Sequence, residues 1–551
     1  IIGIGRYDRV NDTDAEVAFN ISDDHQGRGL GSVLLEHLAA AARERRIDRF
    51  VAEVLPQNRK MLGVFKDAGY EVAHHFEDGV VEMEFSIDPT EKSLAVMQAR
   101  EHRAEANSLA GLLRAESVAV VGAGGSDRSF GSILLRNLLQ GDFTGTIHVV
   151  HPTLEEIQGI RTVRRLTDIE GGVNLVLMAI PAQAVMDSLL EGAQAKVWGI
   201  VVYANGFAES GEDGQELQKV LATRARGLGM RVVGPSTFGI VNNAPEYRLN
   251  ATPAPELPQS GHLGLYSQSA ALGIAMLATA ERRGLAVSSF VSVGNRADVS
   301  GNDVMQFWTE DEDTHVVAMY LESTGNPRKF SRIARTLAYS KPTIVVKTGK
   351  NRVPGHIVRE SRVPMEVWNA MLSQAGVIQV ENIHQMFDVA QLLTSMPVPR
   401  GNRVGIVANS EALAGIALEA AEGWGLTADV PPISVTPESP VEQFHAALET
   451  MMSSPDVDSV VVSFVPRISS DGLELVDAVS KFAHGSDKPI AACFVGIPES
   501  HQGLGSDTQI PAYPTPTDAV RAVAAACQYG RRLREEKGHL GEELATTRTE
   551  L

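Results

Sequence analysis

Cysteine is almost absent from this chain, because only Cys493 and Cys527 occur among its 551 residues. So few thiols exclude a disulfide framework and a cysteine-based zinc site. No apolar run is long enough to span a bilayer, and the sequence shows no signal peptide. The chain starts at Ile1 without a methionine, so we expect its natural start to lie upstream. A reducing, cytoplasmic location fits these absences best.

Positive charge is also scarce, since 49 Lys and Arg residues face 68 Asp and Glu residues and give a net charge of -19. A nucleic-acid or anionic-membrane partner needs a basic face, so this balance argues against both. The length exceeds what one hydrophobic core can hold and predicts about three or four domains. Apolar residues at 44% are ordinary for a globular protein.

Short apolar runs alternate with helical patterns along most of the chain, which predicts an α/β protein. Residues 1–87 read as strand, glycine-rich loop, helix, strand, helix and strand, and the charged residues 88–116 predict a linking helix. From residue 117, continuous runs such as "SVAVVG" and "LVLMAI" predict strands that are buried on both faces of a parallel sheet, in a domain over 117–245. The polar residues 531–551 are interpreted as a linker or a truncated end.

An internal repeat organises the remainder. The stretch "GLYSQSAALGIAMLATAERRGL" (264–285) resembles "GIVANSEALAGIALEAAEGWGL" (405–426), and both read as a strand, a serine-containing turn and a helix. Such repetition predicts two similar small α/β domains, over 260–400 and 402–530.

The first glycine-rich loop, "QGRGLGS", follows a predicted strand over 15–21 and opens onto a helix. Its glycines let backbone amides approach an anion, and the helix N-terminus adds partial positive charge, so a diphosphate is the natural ligand. A dinucleotide site is the alternative. The loop does not match the G-x-G-x-x-G spacing, however, and no acidic residue ends the following strand as a ribose ligand would.

The order Gln26-x-x-Gly29-x-Gly31, with Arg28 inside it, resembles the acetyl-CoA pyrophosphate loop of GNAT acetyltransferases. The later stretch "LPQNRKMLGVFKDAGYE" is also similar to that family. The resemblance implies that Asn58 contacts the pantetheine arm or a water on the lysine side, and that Glu16 is the general base. The alternative for Glu16 is a solvent-facing strand residue. Because the chain starts in the middle of the fold, only the C-terminal part of a GNAT domain is expected. The residues implied to hold the pyrophosphate are Gln26, Gly27, Arg28, Gly29, Gly31 and Ser32.

The second glycine-rich loop, "VVGAGGSDRSFG", also joins a strand to a helix and fits G-x-G-x-x-G poorly. The blocks "LVLMAIPAQAV", "GIVVYANGFAE" and "GMRVVGPSTFGIVNN" resemble the CoA-binding domain of NDP-forming acyl-CoA synthetases and succinyl-CoA synthetase alpha subunits. "YSQSAALG" and "YLESTGNPRKF" match the next domain of that family. The resemblance, over 117 to about 530, implies a Rossmann-like CoA-binding domain and two flavodoxin-like succinyl-CoA synthetase-type domains. The residues implied to bind CoA are Gly122, Gly124, Gly125, Ser126, Pro181, Asn205, Gly206 and Phe207.

The phosphate-carrying histidine of the synthetase family is missing. In its region the chain has Glu360-Ser361-Arg362, and neither serine nor arginine can replace a phosphohistidine. His356 lies nearby but lacks the motif, so we interpret it as a surface-loop histidine. Glu322, which matches the acid that orients the family's histidine, is retained. Together with the absence of an ATP-grasp domain from this sequence, this predicts a synthetase-like region without ligase turnover.

The whole chain resembles bacterial protein lysine acetyltransferases in which a GNAT domain precedes an acyl-CoA synthetase-like region. The resemblance implies an acetyl-CoA-dependent transferase that acts on protein lysines, acyl-CoA synthetases among its substrates, with a large region that senses CoA or acetyl-CoA. No metal is expected, and a homo-oligomer stays open. One rival is an ADP-forming acetate–CoA ligase with an accessory GNAT domain. Another is a CoA-binding regulatory module alone.

Overall fold

The structure is a computed structural model that describes residues 2–77, 79–124, 126–347, 364–467, 472–496 and 510–535. The chain divides into two compact units, residues 1–107 and 108–551. Three regions named in the sequence analysis lie outside the described residues. They are the expected CoA contact Gly125, the region of His356, Ser361 and Arg362, and the tail after residue 535. The predicted α/β fold class, with GNAT, CoA-binding and succinyl-CoA synthetase-like parts, is confirmed.

The first unit is a sheet with strand order β1-β2-β3-β5-β4, in which only the pair β2–β3 is parallel among the described strands. Residues alternate between the two faces of β2, so Ala15 and Val17 are buried whereas Glu16 is exposed. The core also contains the packed rings of Phe50, Phe65 and Phe85. The elements are β1 (Gly3–Arg9), β2 (Asp14–Ile21), α1 (Leu30–Glu44), β3 (Arg49–Val54), α2 (Arg59–Asp67), β4 (Val72–Glu77), β5 (Val80–Ser86) and α3 (Glu91–Leu113).

The last helix of that series, α3, occupies the segment for which the sequence predicts a linking helix. In the first unit its Arg100 pairs with Glu36 of α1. Its final residues belong to the second unit, where Leu109, Leu112 and Leu113 are fully buried in the core. The helix therefore links the two units in sequence and also contributes its C-terminal end to the core of the second.

The CoA-binding part of the second unit has the strand order β12-β11-β10-β6-β7-β9-β8, and its strands are parallel except for the pair β8–β9. Its central strands are buried along their whole length, as their continuous apolar runs predict. The elements are β6 (Ser117–Val121), α4 (Phe130–Gln140), β7 (Thr146–Val150), β8 (Glu156–Ile157), β9 (Ile160–Val163), β10 (Leu175–Met178), α5 (Ala182–Gln194), β11 (Gly199–Val202), α6 (Glu212–Gly227) and β12 (Arg231–Val233).

The next sheet has the order β14-β13-β16-β15-β17-β18-β19. Its first two strands lie within or just after the span 117–245 predicted for the CoA-binding domain, yet β13 pairs antiparallel with β16 and extends the following sheet. The elements are β13 (Ile240–Asn242), β14 (Leu249–Ala251), β15 (Ser260–Ser267), α7 (Ala270–Arg282), β16 (Val287–Ser292), α8 (Gly301–Glu310), β17 (Val316–Leu321), α9 (Pro327–Ser340), β18 (Thr343–Lys347), α10 (Met365–Ala375), β19 (Ile378–Val380) and α11 (Ile383–Ser395).

The last sheet has the order β21-β20-β22-β23-β24 and repeats the parallel order β16-β15-β17-β18-β19 of its predecessor. The internal repeat read from the sequence is therefore a repeat of topology. None of the described helices is long and apolar enough to cross a membrane. The elements are β20 (Val404–Ala408), α12 (Glu411–Gly423), β21 (Ile433–Ser434), α13 (Val441–Ser453), β22 (Ser459–Phe464), α14 (Leu473–Ala483), β23 (Ile490–Phe494), β24 (Ala512–Tyr513) and α15 (Pro516–Arg534).

Two histidines stack where β15 and β17 begin, and they lead to a prediction about stability. The rings of His262 and His315 lie 4.0 Å apart at 9°. Burial, then His262 and Lys341, lower the pKa of His315, and this outweighs Glu312 and Asp313, which raise it. The unfolded chain therefore binds a proton more readily, so the free energy of unfolding should fall as the pH drops below about 6.5.

We expect His262→Gln to weaken this dependence, because it removes the neighbouring imidazole. The measurement is the melting temperature at about pH 7.5 and about pH 5.5, with His445→Gln, which is far along the chain, as the control. An equal drop in melting temperature for wild type and His262→Gln would contradict the assignment.

Candidate functional site

The parallel strands β2 and β3 of the first unit separate partway along their length. Their paired residues are Asp14–Arg49, Ala15–Phe50 and Glu16–Val51, and pairing stops there although β2 continues to Ile21. Beyond Glu16 the two facing strand edges are therefore unpaired with each other, which leaves hydrogen-bonding groups for an extended ligand. The gap opens at the carboxyl ends of the strands, where the glycine-rich loop begins.

The loop itself has the geometry of an anion cradle. Gly27 and Gly29 both have φ of 77°, and no atom lies within 4 Å of the place where a Cβ would be. Helix α1 begins after Gly29 and has no side-chain cap, so its first amides are free of an intrahelical partner. Gly31 is different, since its Cβ would lie 3.1 Å from Val64, and it serves the packing of α1 on α2.

The side chains around the loop are held by local contacts. Arg28 lies 2.8 Å from the Nδ1 atom of His25. Ser32 is half-buried in the first turn of α1. Asn58 caps α2, and its Oδ1 accepts a hydrogen bond of 3.2 Å from the amide of Met61. By the family resemblance, Asn58 contacts the pantetheine arm or a water on the lysine side. Its side-chain oxygen has a capping role in the structure, which leaves the side-chain nitrogen as the group that is able to contact a ligand.

The sheet face that carries Glu16 is acidic. Residues that pair directly across strands point to the same side, and Asp8 pairs with Glu16 while Glu84 pairs with Val51. Among the described residues this face has two basic partners for its carboxylates, since Arg6 lies 3.5 Å from Asp8 and Arg49 binds Glu84 and Asp14. The carboxylates that this face shares are those of Asp8, Asp14, Glu16, Glu53, Glu82 and Glu84.

In the second unit the expected CoA residues gather at the carboxyl ends of three neighbouring strands. Gly122 follows β6, Pro181 follows β10 and the stretch 205–207 follows β11. The strand that follows β6 in the sequence, β7, lies on one side of it in the sheet, whereas β10 and β11 lie on the other side. Open α/β sheets bind ligands in the crevice that forms where the strand order reverses in this way. Pro181 also begins α5 as its N-cap residue.

The two described glycines of this loop have separate roles. Gly122 has φ of 98°, and a Cβ there would lie 2.3 Å from the carbonyl oxygen of Ala179, so only glycine fits. At Gly124 a Cβ would meet nothing closer than the hydroxyl of Ser129 at 3.7 Å, so the space beside it is open. Sequence reasoning missed Ser129 and Ser132, whose hydroxyls accept from the Gly124 amide at 3.3 and 3.2 Å. Ser126 lies beside them on the exposed part of the loop.

An exposed carboxylate holds the loop that follows β11. Glu209 accepts hydrogen bonds of 2.6 and 3.1 Å from the amides of Gly206 and Phe207, and it also contacts Asn295. Burial raises the pKa of Glu209, but the hydrogen bonds from Asn295 and the backbone outweigh it, so the pKa lies below its usual value. Phe207 is buried, and Asn205 accepts a 2.8 Å hydrogen bond from Ser236. These residues therefore shape the crevice wall.

The two flavodoxin-like repeats use the same side-chain device. In the first repeat, Gln268 accepts from the amides of Glu322 and Ser323 at 2.7 and 2.9 Å. In the second, Asn409 accepts from the amide of Val465 at 2.9 Å and donates to its carbonyl at 2.7 Å. Each side-chain carboxamide thus connects two loops of its repeat: the turn after the first strand (β15 or β20) and the loop after the third strand (β17 or β22). The described residues contain no group of three or more His, Cys, Asp and Glu that could hold a metal ion.

Comparisons with known proteins match this geometry region by region. Residues 1–70 match the acetyltransferase (GNAT) family, residues 116–243 a CoA-binding domain, and residues 260–393 the succinyl-CoA ligase-like flavodoxin domain. The acetyltransferase Pat of Mycolicibacterium smegmatis is 40% identical over 81 residues, which cover 15% of this chain and 24% of that protein.

Longer similarities cover the second unit. The alpha subunit of ADP-forming acetate–CoA ligase I from Pyrococcus furiosus is 29% identical over 455 residues, 77% of this chain and 98% of that subunit. The chain spans 62% of the longer ADP-forming acetate–CoA ligase I of Archaeoglobus fulgidus. The structure of the dinucleotide forming acetyl-coenzyme A synthetase 1 of Ca. Korarchaeum cryptofilum is 30% identical with a TM-score of 0.71, over 77% of this chain and 97% of that one.

The folds and loops define an α/β protein that combines a GNAT domain with CoA-binding and succinyl-CoA ligase-like domains. The chain belongs to the family of ADP-forming acyl-CoA synthetases and carries a GNAT acetyltransferase domain ahead of the synthetase-like region. Acetyl-CoA or CoA is the substrate-cofactor that both parts share. The individual contact residues stay predictions.

The open space at Gly124 gives a test of the second loop. We expect Gly124→Val to abolish CoA binding there, because a Cβ at this position meets no atom closer than 3.7 Å in the fold, whereas the branched side chain fills the space beside the ligand. Calorimetric titration of the whole chain should then report one CoA site fewer than in wild type, with an unchanged melting temperature. Gly227→Val, at an unobstructed position in the same domain, is the control. An unchanged number of sites in Gly124→Val would exclude the second loop as a CoA site.

Proposed function

We propose that the first unit transfers an acetyl group from acetyl-CoA to the amine of a protein lysine. The observation that carries this is the gap between β2 and β3, with Glu16 at its closed end and the open glycine-rich loop at its mouth. In this arrangement the loop amides hold the diphosphate, and the extended pantetheine arm lies between the strand edges. The thioester then lies near the point where the strands meet.

The reaction at that point requires a base. Glu16 accepts a proton from the lysine ammonium, and the resulting amine attacks the thioester carbonyl carbon. A C–N bond forms and the C–S bond breaks. The nitrogen then loses a second proton, which balances protonation of the leaving thiolate, so that CoA departs as the thiol. Glu16 is exposed on its strand, so an incoming side chain is able to reach it. The GNAT match and the similarity to the acetyltransferase Pat support the same reaction class.

The acidic face of the sheet supports a protein acceptor that is rich in lysine. The five other carboxylates of this face lie around Glu16, and a basic segment would be attracted to them. Acyl-CoA synthetases are the acceptors that the family resemblance implies, and they are part of this proposal.

For the second unit we propose a CoA- or acetyl-CoA-sensing role without ligase turnover, in a cytoplasmic protein. The crevice at β6 and β10 supports CoA binding, and the sequence offers no histidine motif to carry phosphate. One observation favours a second candidate function, an ADP-forming ligase: the similarity to the Pyrococcus furiosus alpha subunit covers nearly all of that subunit.

Substitution of the proposed base tests the transferase. We expect Glu16→Gln to lower the rate of acetyl transfer by about 10²-fold, the usual contribution of a general base, with little change in acetyl-CoA affinity. Glu53→Gln removes a carboxylate from the same sheet face and should keep most of the rate. The measurement is acetylation of a lysine-containing acceptor under saturating acetyl-CoA. If Glu16→Gln retains the full rate, Glu16 takes no part in the mechanism.

Phosphate transfer separates the two functions proposed for the second unit. Serine phosphate esters are kinetically stable, whereas phosphohistidine transfers phosphate in both directions, so we expect no turnover through Ser361. Incubation of the chain with acetate, labelled ATP, CoA and a separate ATP-grasp protein should give neither acetyl-CoA nor an acid-labile phosphoprotein. An acid-labile, base-stable phosphoprotein that disappears in His356→Ala would establish the ligase instead.

A further inference from the structure

A lysine that is not part of the glycine-loop motif lies beside the first glycine-rich loop. The ammonium of Lys60, in the first turn of α2, lies 3.4 Å from the Oε1 atom of Gln26 at the start of the loop. The other end of the Gln26 amide is fixed, because its nitrogen donates to Asp23 at 2.8 Å and to the carbonyl of Ile21 at 3.4 Å. The amide oxygen of Gln26 is therefore held toward Lys60.

Lys60 makes no ion pair with any carboxylate among the described residues; its recorded contact is the neutral oxygen of Gln26. The motif's own cation, Arg28, instead contacts the Nδ1 atom of His25 at 2.8 Å. An exposed ammonium that contacts only an amide oxygen gains more from a phosphate oxygen, because the phosphate adds the Coulomb attraction between two opposite charges to the hydrogen bond.

The place where a phosphate would lie is beside this ammonium. The loop from Gln26 to Gly29 is open at both of its left-handed glycines, and α1 begins there without a side-chain cap. Packing of Gly31 against Val64 holds the first turn of α1 against the middle of α2, one helical turn from Lys60. A diphosphate on the α1 amides thus reaches the first turn of α2 as well, where Lys60 projects.

We propose that Lys60 binds a phosphate of acetyl-CoA and sets the affinity of the first unit for the nucleotide end of its donor. The inference rests on the proposed acetyltransferase function and adds a residue that the glycine-loop motif does not contain. On binding, the ammonium exchanges the Gln26 oxygen for a phosphate oxygen, and no covalent step is involved.

The test compares Lys60→Met with Lys66→Met, an exposed lysine on the same helix. Each is made in the whole chain that carries Gly124→Val, and acetyl-CoA is titrated by calorimetry. We expect Lys60→Met to weaken acetyl-CoA binding by about tenfold, the effect of losing one hydrogen bond to a charged group, and Lys66→Met to leave it unchanged. Acetyl-pantetheine, which has no phosphate, should bind both variants equally.

Acetyl-3′-dephospho-CoA distinguishes the two phosphate sources. If it shows the same tenfold loss in Lys60→Met, the diphosphate is the partner; if the loss vanishes, the 3′-phosphate is. An equal affinity of Lys60→Met and Lys66→Met for acetyl-CoA, or an equal loss with acetyl-pantetheine, would overturn the proposal. Failure of wild type to acetylate any lysine would instead refute the transferase, and the calorimetry would still decide the role of Lys60.

Discussion

Parallel strand pairing is the constraint on which every candidate site in this chain depends. Strands that run in the same direction place the loops that follow them at one edge of the sheet, so residues far apart in the sequence meet there. In the first unit this brings the glycine-rich loop after β2 to the same edge as the end of β3. In the CoA-binding part it brings together the loops after β6, β10 and β11.

Parallel pairing also leaves backbone groups at the strand ends without hydrogen-bond partners, and polar side chains supply those partners. A turn at the end of a buried parallel strand has backbone groups that no neighbouring strand satisfies. Gln268 and Asn409 satisfy them in the two repeats, and Glu209 does so for Gly206 and Phe207. These three side chains therefore have a structural role. Each one fixes a loop at the carboxyl edge of its sheet, and a ligand site is able to form on that loop.

The glycine-rich loops and the repeated domains could be predicted from the sequence, because each depends on a short, local sequence pattern. A glycine-rich loop between an apolar run and a helix identifies an anion cradle, and two similar strand–turn–helix stretches identified the repeat. Features that depend on pairing between distant residues were not readable. The separation of β2 and β3 after Glu16–Val51 is a matter of register, and the addition of β13 to the sheet of β16 depends on a short antiparallel pair. Nor could the sequence show that Asn58 caps its helix or that Ser129 holds Gly124.

The contrast between Gly122 and Gly124 changes how variation among relatives of this chain should be read. At Gly122 a neighbouring carbonyl leaves no room for a side chain, so folding alone selects glycine and its retention carries no information about ligands. At Gly124 an alanine would be tolerated by the empty fold. A lineage that keeps the first glycine and loses the second would therefore have preserved the domain while selection for its ligand was relaxed.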